Sequence, residues 1–347
     1  MLIALSAWVL TVGWTQAVPA QLPEPVGSAP ELPQPLPALA VQVDGQRKAL
    51  EVQLGPVFLP ANRRYADATV ELHGAGVFPA DAWLHGFQVV IVDKTGRPLA
   101  ERMLHHLLVF TPDERDLISP VMRRIAAFGM ESEAIRLPRP LGYRVRQGDS
   151  LLIAAALFNP TAEPLDSVFV RVRLAYEPAR RTARRMAIVP FFLDAQVGSG
   201  PRVFDVPPGR WEFSREWSPD VPGRLLAAGA HLHQHGVAIV FEDVTAGKTL
   251  WRVTPRYDAA GEIAGIPAKV FRGGRGLRLV PGRVYRLTAI YDNPTDGVIR
   301  GAMGKIGGAF VPDPGWPLPA ADRSHAEYRR DRARQMAHEH VHQHNEP

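Results

Sequence analysis

The chain has 347 residues, a formal net charge of +5 and no cysteine. That length suits two domains plus appendages, and the missing cysteine excludes disulfides, thiolate metal ligands and a cysteine nucleophile. With 33 prolines, 30 glycines and no sustained helical periodicity, a helical bundle is excluded and many short strands joined by turns are expected.

The N-terminal run Met1 to Trp14 is apolar and is followed by the small residues Ala17 and Ala20 around Pro19. It is too short for a confident span and reads as a secretory signal over residues 1–20, with a short N-terminal membrane anchor as the alternative. Export, secreted or periplasmic, follows. Residues 21–40 are rich in proline and alanine and read as an extended leader.

A first β domain is expected over residues 41–178. Its strand candidates are Ala68–Leu72, Gly86–Val92, the segment opened by His105 and His106, Ser150–Ala155, and Val168–Leu174, where valine alternates with arginine. The polar stretch over residues 179–185 reads as a linker, residues 186–316 as a second β domain and residues 317–347 as a charged, histidine-rich tail. Much of the basic excess lies in Arg180-Arg181, Arg184-Arg185 and Arg329 to Arg334, without interleaved aromatics, so a solvated linker and tail is expected and no nucleic-acid partner.

The two blocks echo one another. A histidine segment, a turn, an apolar strand and an Asn-Pro-Thr exit recur, the exits being Asn159-Pro160-Thr161 and Asn293-Pro294-Thr295. Two similar β domains, each presenting histidines from an equivalent strand, are predicted.

The histidines carry the chemistry. On a strand, His231, His233 and His235 would share one face, with Leu232 on the other, which is a metal-ligand layout. Met303, in a glycine-rich turn, adds a soft thioether, and imidazole with thioether favours copper, Cu(I) above all. His105 and His106 are adjacent, so they converge only at a strand end or a bulge. His235 reads as a spare ligand, a supporting donor or a solvent-facing residue. No Ser-His-Asp order, phosphate loop or paired-carboxylate signature accompanies these residues.

The His105-His106 pair ahead of an apolar strand, the His231-x-His233 pair and Met303 in a Gly-x-Met-Gly turn resemble the copper type II, ascorbate-dependent monooxygenases. The resemblance spans roughly residues 41–314. It implies an all-β chain of two tandem antiparallel jelly-roll (β-sandwich) domains, each holding one copper. His105 and His106 match an electron-transferring first site; His231, His233 and Met303 match the dioxygen-binding catalytic site. The implied reaction hydroxylates a C–H bond of a small-molecule or peptide-derived substrate, with ascorbate or another external reductant. The family's third histidine of the first site should fall near Leu157 or Phe158, where this chain has none. His73 or His85 is then left to complete that site, or it stays incomplete, which keeps a non-catalytic copper-handling protein as the alternative.

The tail ends in His338, His340, His342 and His344. Few apolar residues precede it, so a solvated helix or disordered extension is expected after residue 320, with the histidines as a weak, exchangeable metal trap. Deleting residues 336–347 is expected to remove weak copper or zinc binding, measured by equilibrium dialysis, while leaving tight binding intact. Unchanged metal capacity and uptake rate would reduce the tail to a solubilising segment.

Overall fold

A computed structural model describes residues 37–63, 69–129, 135–138, 140–179, 185–196, 203–259, 261 and 263–336. The signal segment, most of the linker and His338 to His344 lie outside the described residues. Among the described residues no helix is long and apolar enough to cross a membrane.

Among the described residues, sixteen strands form the main frame of two sandwiches. In the first block they are β1 (Ala49–Leu59), β2 (Val70–Val77), β3 (Ala82–Val92), β4 (Leu104–Arg115), β5 (Met122–Gly129), β6 (Leu141–Val145), β7 (Ser150–Leu157) and β8 (Leu165–Pro178). The second block repeats the series as β9 (Val189–Asp194), β10 (Gly209–Trp217), β11 (Gly223–Leu232), β12 (Gly236–Asp243), β13 (Lys248–Val253), β14 (Leu277–Leu279), β15 (Tyr285–Asn293) and β16 (Gly304–Pro312).

The first block pairs β1-β8-β3-β6 against β2-β7-β4-β5, and the second pairs β9-β16-β11 with β14 on β11 against β10-β15-β12-β13. Adding eight to each strand number of the first block gives the second. Both blocks are therefore antiparallel jelly rolls, as the resemblance implied, with shorter pairings added at their edges.

Each sheet buries one face. On β7 the core side carries Leu151, Ile153, Ala155 and Leu157, while Leu152 belongs to a separate cluster on the outer side. The second core collects Phe191, Phe241, Leu287 and Phe310. Met186–Ala187 pairs with β6 and Ile188 packs in the first core, so the handover between the two cores falls between Ile188 and Val189.

The blocks are packed together. Leu117 and Ile118, from the connection between β4 and β5, enter the second core, and Ala309 enters the first. The buried Arg124 guanidinium pairs with Asp194 at 3.2 Å and lies 4.4 Å over the Phe192 ring. An ion pair with both members buried is costly to break from one side, so this contact favours a fixed arrangement of the blocks.

Both ends of the described chain lie against the first block. The end of the leader is held there: Leu39 donates its N–H to the Ala75 carbonyl at 2.7 Å, and its side chain fits because residue 74 is glycine, where a Cβ would sit 2.4 Å from it. After residue 320 the chain forms α1 (Ala326–Met336), which is not merely solvated. Tyr328 is buried with Phe110, Met122 and Leu152 on the outer face of the first block, and its hydroxyl donates to the Pro112 carbonyl at 2.6 Å. Composition hid the docking of this helix, because Tyr328 supplies most of its apolar contact.

The Asn-Pro-Thr exits perform one structural task twice. Asn159 donates its amide to the Glu163 carbonyl at 2.8 Å and accepts the Thr161 N–H at 3.0 Å. Asn293 donates to the Gly297 carbonyl at 2.7 Å and accepts the Thr295 N–H at 2.9 Å. Each amide also bonds a carbonyl distant in sequence, Leu59 at the end of β1 and Val206 shortly before β10. Asn159→Ala and Asn293→Ala are each expected to cost about 2 kcal/mol in urea denaturation, because a buried carbonyl loses its donor. A loss at one position and none at the other would contradict the structural equivalence of the two turns.

Candidate metal centres

The second-block histidines lie where β11 ends. His231 is the partner of Lys305 and Leu232 the partner of Gly304 in the β11–β16 pairing. Leu232 packs in the second core, so His231 lies on the outer face. The strand then stops, and His233 to Gly236 form a turn closed by the Gly236 N–H on the His233 carbonyl at 3.1 Å. This corrects the expectation of three histidines on one strand face: His235 has a φ of 67° within the turn, and strand alternation does not set its direction.

His231 and His233 remain together, with ring centroids 5.0 Å apart and planes at 89°. Tyr291, on β15, is fully buried and ties this pair to Met303. Its hydroxyl accepts the His233 N–H at 2.9 Å and donates to the Met303 carbonyl at 2.5 Å. One phenol therefore satisfies two backbone groups at the ends of β11 and β16. Gly304 permits the approach, since a Cβ there would stand 2.3 Å from that of Ala289. Two imidazoles and the residue bearing the thioether are thus gathered at one corner of the sandwich, all three partly open to solvent.

An ionic row borders this corner. Asp194, Lys305 and His231 are successive partners across β9, β16 and β11. Lys305 Nζ stands 3.9 Å from an Asp194 oxygen, and Asp194 also binds Arg124 of the first block.

In the first block the bulge demanded by adjacent histidines is present. On β4, Leu104 pairs with Leu157 and His106 with Ala156, leaving His105 as the extra residue. The rings stand 4.9 Å apart at 62°. A bulge turns two successive side chains toward one side, which strand alternation forbids. The second block has a bulge at the corresponding place, where Gly236 pairs with Tyr291 and Ala238 with Ile290. There the extra residue is Val237, so the histidines of the two blocks do not come from equivalent strands, contrary to expectation. The first pair sits on β4, whereas His231 ends β11, the counterpart of β3.

Leu157 is fully buried in the core, which keeps it off the outer face beside His106; Phe158, just past the end of β7, is buried as well. The residue opposite His106 is Ala156, and beyond it on β2 stands Glu71. His73 follows two residues later on the same face, its Nε2 3.5 Å from a Glu71 oxygen. Burial pushes the Glu71 carboxyl up to about 7. His85 belongs to β3 in the facing sheet, with the core between its backbone and the His105-His106 pair. Sequence reading passed over Glu71; its signal was the Glu71-x-His73 alternation between the apolar Val70 and Leu72.

Among the described residues no group of three or more His, Cys, Asp or Glu is arranged to hold a metal ion. The second-block corner brings together two imidazoles and the backbone of Met303. Tyr291→Phe strands the His233 N–H and the Met303 carbonyl together. A stability loss of about 1–3 kcal/mol in urea denaturation is expected; unchanged stability would show that the phenol does not hold the corner.

No family model matches this chain, and no curated protein matches it. Among solved structures it is similar to one described as the atomic structure of Sulfolobus Turreted Icosahedral Virus, at 7% identity and a TM-score of 0.34, covering 86% of this chain and 98% of that one. A likeness at that TM-score carries no argument about function.

Proposed function

We propose that this is an exported copper protein that binds the metal through His231, His233 and Met303, and that it is a monooxygenase-type oxidoreductase. Copper, when bound, supplies the dioxygen and radical chemistry, and ascorbate or another external reductant supplies electrons. The substrate class is a small-molecule or peptide-derived compound with an accessible C–H bond. The observation that carries this reading is the Tyr291 hydroxyl, which joins the backbones of His233 and Met303 from two different strands.

The donor chemistry fits. Two imidazoles and one thioether suit Cu(I), and neither thiolate nor a hard oxygen cage competes for another metal. The side chains act by placement: the turn at His233 fixes one imidazole and Tyr291 sets the height of Met303. Partial exposure leaves the corner approachable by a substrate.

A second reading, non-catalytic copper handling, is favoured by a specific observation: where the resemblance expects a third histidine the chain has a core-facing Leu157 and a buried Phe158. Both readings share the second-block site. In a competition titration with a Cu(I) chelator, Met303→Leu is expected to weaken Cu(I) binding by about tenfold or more, since even outer ligand-supporting groups are worth about that much. The fold, followed by circular dichroism, should persist. Equal Cu(I) affinity in the two proteins would overturn the site. Ascorbate-dependent oxygen consumption with substrate then separates the enzyme, which consumes oxygen, from the handler, which does not.

A further inference from the structure

The two blocks differ at one edge. In the first, β2 ends its sheet, and the chain just before β1 covers it: Leu39 donates to the Ala75 carbonyl at 2.7 Å, and Ala75 donates to the Pro37 carbonyl at 3.0 Å. The strand at the same position of the second block is β10, Gly209–Trp217, and among the described residues it pairs with β15 alone. Its outer edge carries no described strand.

That edge is suited to pairing. Its register, from Gly209 opposite Asn293 to Trp217 opposite Tyr285, runs through nine residues without a bulge, and it holds no proline or lysine of the kind that blunts an edge. Trp211, Phe213 and Trp217 face the core yet are only half-buried, whereas Arg210, Glu212, Ser214 and Glu216 are exposed on the other side. The one charge on the core side, Arg215, is engaged with Ser119 of the first block at 3.5 Å. A long, regular edge of this kind is a template for another strand.

We propose that β10 pairs antiparallel with β10 of a second copy of this chain, Phe213 opposite Phe213, so that a two-fold axis joins the two sheets into one. Antiparallel partners turn their N–H and C=O groups toward each other or away together, so two copies of one strand pair odd residues with odd and even with even. Charge then selects the register. Centring on Glu212 sets that carboxylate against itself, and centring on Ser214 sets Glu212 against Glu216 twice; both are repulsive. Centring on Phe213 sets Arg210 against Glu216 twice, and Glu212 against Ser214. Within each copy Glu216 already accepts from Arg286 at 2.7 Å, Arg286 stands 4.0 Å from Glu242, and Arg210 is opposite Asp292. Glu242, Arg286 and Glu216, followed by Arg210 and Asp292 of the second copy, therefore form one row of alternating charge across the joined sheet. Backbone hydrogen bonds supply the affinity and the charges set the register, since exposed ion pairs are individually weak.

The test is analytical ultracentrifugation of the full chain over a range of concentrations, with folding followed by circular dichroism. A monomer–dimer equilibrium is expected. Arg210→Glu and Glu216→Arg should each weaken it by about tenfold or more, because each change makes two symmetric pairs repulsive. Mixing the two variants should restore association, since both pairs across the axis then join opposite charges again. Ser214→Glu and Ser214→Lys, both facing Glu212, provide a second route should a charge reversal fail to fold: the first should weaken the dimer and the second strengthen it. A chain that stays monomeric at every concentration would assign the edge to another partner and overturn the proposal. A dimer indifferent to these changes, or variants that do not associate when mixed, would overturn it equally. No metal enters the test, so its outcome is independent of the His231-His233-Met303 reading.

Discussion

A strand presents its side chains alternately to two sides, and a sheet packed into a sandwich gives one of those sides to the core. In this cysteine-free protein that burial carries the stability, so the core face is apolar almost throughout and the polar chemistry is pushed to the other face or to strand ends. Glu71, His73 and His106 share the outer side of their sheet, and His231 lies on the outer side of its own. Two local devices then gather residues that alternation alone would scatter. A bulge turns His105 and His106 together, and the Tyr291 hydroxyl draws the end of β11 to the start of β16.

The two blocks share one frame. The bulge, the Asn-Pro-Thr turn and the order of strands recur, and the frame carries different side chains each time. In the first block the bulge carries a histidine; in the second it carries Val237, packed with Ala238, Val240 and Ile290, and the histidines lie at the preceding turn. The row from Asp194 through Lys305 to His231, joined to the first block by Arg124, ties the second corner to the contact between the blocks.

Much of this was legible in the sequence because it rests on short-range chemistry. Asn159 with Thr161, and Asn293 with Thr295, close their turns through side chains two residues apart, so the repeat shows in the chain itself. Alternation in Val168 to Leu174 similarly announced β8. What was not legible depends on cross-strand partners. Leu157 could be assigned to the core rather than beside His106 only once its pairing with Leu104 was known, and Glu71 gains meaning only through Ala156. His235 was misplaced because the end of β11 is set by the Gly236 turn, and the docking of α1 was not legible because one tyrosine supplies most of its anchorage.

The central claim is that two imidazoles and one thioether at the margin of the second block form a copper site. Anomalous diffraction at the copper edge from crystals grown with Cu(I) under reducing conditions tests it most directly. The account predicts a peak bonded to His231, His233 and the Met303 sulfur, with copper–nitrogen distances of about 2 Å. A fully loaded protein with copper elsewhere and Met303 sulfur turned away from both imidazoles would contradict it.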